Sequence, residues 1–405
     1  MVITTMNKKI GAIMLIAGTC IGSGMIALPM LLAKLGIIPS ILLMLSMWFI
    51  VYYTSLINVE LNLQARTGLS LGALGRRFSG KIAEYIGTGS FKLLSYALLS
   101  VYIYGGTSVL QKMLEASYNQ QYAFHDLASL YAFTAIILLL LPIKFLDYVN
   151  RFLFIGLLAV VLVMIIGLLS SINWNHLPLF ANNYTDLSIW RMIIPVSFTA
   201  FGFQVIFHTL TNYCNKDVKL LKLAFFWGSL IPALIYILWT SSILSAVYQD
   251  NPIFYQTMVK GKVEIGELIQ ELSNIAKWPF VQLLVWWISS LAIITSVLGV
   301  GMGLNDSIHN MLPSKLSNKF ISVVLTIIPA YIVTILIPNA FISVLGFAGM
   351  ILVIIAILLP IYLFYKAKIT NLNYAELKHN WLIILSLVIG IIIMMCEVLN
   401  MLMRS

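Results

Sequence analysis

The chain has 405 residues, of which 61% are hydrophobic and 9% are charged, with a formal net charge of +10. Repeated apolar runs near twenty residues exclude an ordinary soluble domain, because at about 1.5 Å per residue each crosses a hydrocarbon core of roughly 30 Å. The basic residues fall between these runs, so membrane topology accounts for the charge and no nucleic-acid partner is implied.

Eleven spans are expected, at about 10–34, 38–64, 81–112, 124–143, 147–171, 190–212, 217–247, 277–305, 319–337, 339–366 and 380–403. The chain reads as an all-α polytopic membrane protein embedded in a lipid bilayer, one transmembrane unit over 1–405. The first span contains Gly18-Thr19-Cys20-Ile21-Gly22-Ser23-Gly24, followed by Pro29. Glycine disfavours helix by about 0.5–1 kcal/mol relative to alanine. Broken backbone at membrane depth persists only where protein or a water-lined cavity satisfies its N–H and C=O groups. Such a stretch serves either as a substrate site or as a close helix contact, since small residues also favour packing.

Lysine and arginine set the orientation. The N-terminus and the connections after even-numbered spans hold most of them, from Lys8 and Lys9 through Arg76 and Arg77 to Lys366 and Lys378. That side faces the cytoplasm. The N-terminus is therefore inside and, with an odd number of spans, the C-terminus outside. Between spans two and four, Lys92 lies within span three, where it is either a proton relay or a cation that snorkels or pairs with Glu60. Asp147 and Arg151, one turn apart, suggest an interfacial pair.

Span six reads Pro195-Val196-Ser197-Phe198-Thr199-Ala200-Phe201-Gly202-Phe203-Gln204. It is apolar at both ends and polar at its centre, five spans after the first break. Paired interruptions in two halves point to a transporter binding site. Spans one and six run in opposite directions, which implies inverted repeats of five helices (about 8–171 and 190–366) with 380–403 as an added helix. A broken helix exposes N–H groups that suit a carboxylate and C=O groups that suit a cation. Gly22, Ser23 and Gly24 can take a substrate carboxylate, and carbonyls near Ala17, Gly18 and Phe198 its ammonium. Phe198, Phe201 and Phe203, with Tyr102 of span three, form aromatic walls or ordinary core. Gln204 can meet a phenol or an indole N–H. In the connection 248–276, Ile265, Leu268, Ile269, Leu272 and Ile275 draw one apolar helical face.

The run from Gly18 to Met25 with Pro29 resembles the first-helix motif of the hydroxy and aromatic amino acid permeases. Thr199-Ala200-Phe201-Gly202-Phe203 is similar to their sixth-helix motif. Tyr102-Ile103-Tyr104-Gly105-Gly106-Thr107-Ser108 and the segment from Leu298 to Asp306 resemble their third and eighth helices. The resemblance covers nearly the whole chain and is strongest to bacterial tyrosine and tryptophan permeases. It implies the amino acid–polyamine–organocation fold, a bacterial cytoplasmic membrane and cation-driven uptake, mostly proton-driven. Gln204 departs from the usual histidine, and His208 stands where proline is familiar, which leaves substrate choice open.

In span eight, Ala292, Thr295 and Ser296 place a carbonyl and two hydroxyls on one face. Sodium-coupled transporters of the same fold use such oxygens, and Gly18 and Ile21 would add first-helix carbonyls. The competing reading is helix-to-helix hydrogen bonding. Glu397, inside the last span, also calls for a partner. Cys20, Cys214 and Cys396 form no metal or disulfide pattern, and no cofactor is expected beyond H⁺ or Na⁺. An enzyme is disfavoured because the sequence holds no metal-binding His-Glu-x-x-His. A channel, a sensor and a permease for other neutral amino acids remain alternatives. The sequence does not set the oligomeric state.

Overall fold

The computed structural model describes residues 2–275, 279–313, 318–337, 341–369 and 371–404. Every regular element among them is helical. In chain order these are α1 (Val2–Cys20), α2 (Ser23–Leu32), α3 (Ile37–Gln64), α4 (Leu71–Phe78), α5 (Lys81–Tyr118), α6 (Phe124–Leu140), α7 (Ile143–Ser171) and α8 (Leu187–Thr199). There follow α9 (Phe207–Tyr213), α10 (Val218–Asp250), α11 (Pro252–Val259), α12 (Ile265–Ile275), α13 (Pro279–His309), α14 (Lys319–Leu336), α15 (Phe341–Val353), α16 (Leu359–Lys366) and α17 (Asn380–Arg404).

Eight helices among the described residues are long and apolar enough to cross a membrane, with α15 and α16 counted as one. Counting α1 and α2 as a single span bent by 54° gives nine. Two shorter apolar helices, α6 and α8, stand beside them. Lipid is the solvent of the outer surface: only a third of the apolar window of α7, α14 and α17 is buried, against 83% for α5. Helix α5 is therefore the central post, packed by α6, α12, α13, α14 and α15. The burial of its apolar window explains why that stretch shows no polar stripe.

The first span is two helices, α1 and α2, parted where the sequence predicts its break. Other elements differ from the sequence expectation. Helix α5 runs six residues past the expected end at 112, because Glu115 accepts the capping N–H of Asn119, which adopts the left-handed conformation. A short helix, α4, lies in the connection at 65–80, started by Ser70, whose side chain accepts the Ala73 N–H. A π turn at Ile354–Leu358 joins α15 to α16. The apolar face of α12 is real: Ile265, Leu268, Ile269 and Leu272 are buried against α5 and α13, with Ile275 partly so.

The intramembrane acids have partners. Glu60 is fully buried and accepts hydrogen bonds from Gln64 Nε2 (2.8 Å), Asn373 N (3.1 Å) and Asn373 Nδ2 (2.9 Å). It ties α3 to the segment after α16. Of the alternatives for Lys92, the pairing with Glu60 does not form: Glu60 is engaged by amides, and Lys92 reaches Met311 just past the end of α13. Glu397 accepts from Asn400 Nδ2 (3.2 Å), and Asn400 Oδ1 accepts from Arg191 Nε (2.9 Å), which fastens α17 to α8. The expected Asp147–Arg151 pair lies outside the described side chains.

Glu60→Ala removes three hydrogen bonds to a buried carboxylate, and a loss of about 2–4 kcal/mol is expected from bonds of that kind. Thermal unfolding in detergent should show a clear drop in Tm for Glu60→Ala and little change for Lys92→Ala. Equal drops for the two would restore the direct pairing.

Candidate functional site

The first break is built from backbone. Helix α1 ends at Cys20, Ile21 still donates to the Ala17 carbonyl (2.8 Å), and Gly22 is extended (φ −163°, ψ −152°). Helix α2 starts at Ser23 with no side-chain cap. Its first N–H groups therefore keep the partial positive charge of a helix N-terminus. The Ser23 side chain lies outside the described side chains.

Gly22 packs against α13. A methyl group there would collide with Ser296 Oγ and lie 3.7 Å from the Ala292 carbonyl oxygen. The first break and the oxygen cluster of α13 are therefore in contact. Thr295 Oγ1 donates to Leu291 O (2.8 Å) and Ala292 O (3.1 Å), and Ser296 Oγ donates to Ala292 O (2.7 Å). Gly18 lies under the ring of Phe154 from α7, 3.2 Å from where a methyl group would sit.

The second break follows α8. Thr199 Oγ1 donates to Pro195 O (2.9 Å) and to Leu345 O on α15 (3.0 Å), which fixes the end of the helix. The chain then turns through Ala200, with Phe201 N–H bonded to Phe198 O and Gly202 N–H to Thr199 O, both at 3.1 Å. A single 3-10 turn, Gln204–Ile206, leads into α9. The two breaks touch: a methyl group at Gly24 would sit 3.5 Å from the Ala200 Cα, ordinary van der Waals separation.

One side chain joins both breaks. The Tyr236 hydroxyl of α10 lies 2.6 Å from the Cys20 carbonyl oxygen and 2.8 Å from that of Ala200. Tyr236 is fully buried, and the Phe201 ring meets it edge-on at 5.4 Å. Tyr102 of α5, also buried, is within electrostatic range of it. The sequence reading passed over Tyr236, because hydropathy does not mark one tyrosine in an apolar span. The usable signal was that a buried phenol O–H has to find an acceptor.

The remaining predicted residues divide. Phe198 is fully buried at the end of α8. Phe203 packs with Phe207 and Phe225 at 5.9 and 6.0 Å between ring centres, a cluster of its own between α9 and α10. Gln204 is buried, and neither its Oε1 nor its Nε2 has a hydrogen-bond partner. A cavity of about 190 Å³ opens farther along α2 and α5, lined by Met30, Tyr104, Lys262, Glu264, Ile265 and Phe341 among others. Met30 is six residues past Gly24, about 9 Å along a helix. Burial and neighbouring Glu267 push the Glu264 carboxyl up, while the Tyr104 hydroxyl (3.4 Å) and Lys112 hold it back.

The model of the tryptophan/tyrosine permease family matches residues 5–397. The chain belongs to that family. Among curated relatives of this permease, tyrosine-specific transport system 1 of Haemophilus influenzae is 32% identical over 96% of each chain. A tryptophan-specific transport protein of Pseudomonas aeruginosa is 26% identical, over 87% of this chain and 84% of its own. Glutamine transporter 2 of Aliivibrio fischeri is also 26% identical, over 88% of each. The permease is thus a multi-pass membrane protein whose relatives carry small molecules.

The two glycines of the first break should respond differently to a methyl group. Gly22→Ala forces Ser296 aside and should cut uptake at least tenfold. Gly24→Ala meets Ala200 at an acceptable distance and should keep most of it. Leucine at either position should abolish uptake with normal insertion. Uptake per inserted carrier reads this, and equal activity for the two alanine variants would contradict the geometry.

Proposed function

We propose that this permease imports an aromatic amino acid, tyrosine first and tryptophan second, by symport with a cation, the proton ahead of sodium. The observation that carries the reading is the meeting of the two breaks, which brings an uncapped helix N-terminus and two inward carbonyls to one point. An α-amino acid presents a carboxylate and an ammonium two bonds apart. The N–H groups from Gly22 to Gly24 suit the first, and carbonyls of the two breaks suit the second. Ala17, Gly18 and Phe198 contribute backbone near the ammonium. Phe201, Gly202 and Tyr102 flank the side chain, with Phe198 and Phe203 behind.

Gln204 supports an aromatic side chain with a polar tip. A buried amide with no partner costs about 1–3 kcal/mol, and a phenol O–H or indole N–H offers it one. Eleven spans in five-plus-five inverted repeats are the natural frame. Two breaks lie five spans apart, and α6 and α8, with its continuation α9, complete the nine longer spans. In that frame the N-terminus is cytoplasmic and the C-terminus lies across a bacterial cytoplasmic membrane. Sodium would sit among Gly18, Ile21, Ala292, Thr295 and Ser296, a cluster supported by the Gly22–Ser296 contact. A second reading, a carrier of other neutral amino acids, is favoured by the glutamine transporter among the relatives and by the usual family histidine being Gln204 here.

Uptake of labelled tyrosine into vesicles, with proton and sodium gradients imposed separately, tests the proposal. Accumulation driven by an alkaline interior and competed by tryptophan but not by serine, leucine or glutamine supports it. Accumulation untouched by excess aromatic amino acids refutes it. Thr295→Ala with Ser296→Ala should abolish a sodium-driven component and spare a proton-driven one. Gln204→Leu should weaken tyrosine about tenfold more than phenylalanine, the effect of losing one buried hydrogen bond of about 1.4 kcal/mol.

A further inference from the structure

Tyr236 presents a problem of proton counting. A phenol carries one O–H donor, yet its oxygen lies 2.6 Å from Cys20 O and 2.8 Å from Ala200 O. Each carbonyl belongs to a different broken helix. The single proton is therefore shared, and the two carbonyls are together only partly satisfied. All the groups are buried, so no bulk water makes up the difference, and a bare buried carbonyl costs free energy. An ammonium, with three donors, completes this pair of acceptors far better than one phenol proton does.

We propose that Tyr236 is a positioning residue that stands in for the substrate ammonium in the empty carrier. Its hydroxyl proton holds the Cys20 and Ala200 carbonyls together when no amino acid is bound, and the incoming ammonium displaces it from both. The proposal rests on the reading that carbonyls of the two breaks receive the ammonium. It explains a need of net uptake that exchange does not have: the carrier returns empty after each delivery, and the return requires the breaks to close with their carbonyls satisfied. The loaded carrier has the ammonium for that purpose, and the empty one has Tyr236. Phe201, edge-on to the Tyr236 ring, keeps the phenol aimed at the breaks when the hydroxyl has been displaced.

This assignment fixes an unusual sign. A residue that binds substrate directly loses affinity on truncation, whereas removing a competitor raises it. Tyr236→Phe should tighten tyrosine binding about fivefold, equivalent to about 1 kcal/mol for one hydrogen bond no longer broken on binding. It should slow net uptake, which includes the empty return, and leave tyrosine–tyrosine exchange close to the wild-type rate. Binding of desamino-tyrosine, which has no ammonium, should not tighten.

The experiment measures tyrosine and desamino-tyrosine binding, net uptake and exchange for wild type and Tyr236→Phe in proteoliposomes, per inserted carrier. Tighter tyrosine binding with net uptake lost and exchange kept supports the proposal. Unchanged or weaker tyrosine binding, equal losses of uptake and exchange, or equal tightening of the desamino compound overturns it. A wild-type carrier that exchanges no aromatic amino acid overturns the underlying reading, and the proposal with it.

Discussion

Unpaired peptide groups inside a lipid-facing bundle constrain this molecule more than any other feature. Backbone that leaves the helical ladder in a membrane interior must be satisfied by protein, and the fold does so twice. At the first break, Ile21 keeps its bond to Ala17 and Gly22 is pressed against Ser296. At the second, Thr199 bonds to α15 and the chain turns through two short-range backbone bonds. The residual carbonyls of both converge on Tyr236. The rest of the bundle is arranged around keeping that meeting point dry and aligned.

The arrangement depends on which helices are deep and which face lipid. Helix α5 is buried along most of its apolar window and carries Tyr102 and Tyr104 past the breaks toward the cavity. Helix α10 approaches α1 closely enough for Gly228 to meet Ile16, which sets Tyr236 level with Cys20 two turns farther on. Polar ties hold the periphery: Glu60 locks the end of α3 to the segment after α16, and the Arg191–Asn400–Glu397 chain locks α17 onto α8. Such ties steady the frame around the two breaks, where the backbone leaves the helical ladder.

Much of this was legible in the residues. Gly18, Gly22 and Gly24 announced the first break, and the polar centre between Ser197 and Gln204 announced the second, because glycine and hydroxyls disturb an otherwise uniform apolar signal. The apolar face of α12 was legible from its 3.6-residue period. What could not be read was long-range. Tyr236, Phe154 and the Glu60–Asn373 contact are set by which helices pack together, and a periodicity argument carries no information on that. The Lys92–Glu60 pairing failed for the same reason: charge suggested a partner, but an amide from 313 residues along the chain reached the carboxylate instead. Phe203 shows the limit of composition, since an aromatic beside a break packs here against Phe207 and Phe225.

The central claim is that the two breaks grip an amino-acid zwitterion through backbone. A cryo-electron microscopy structure of the permease with bound tyrosine tests it most directly. The account predicts the substrate carboxylate within hydrogen-bonding distance of N–H groups from Gly22 to Gly24, and the ammonium against the Cys20 and Ala200 carbonyls with the Tyr236 hydroxyl moved off them. Tyrosine held elsewhere, with the Tyr236 hydroxyl still on the Cys20 and Ala200 carbonyls, would contradict it.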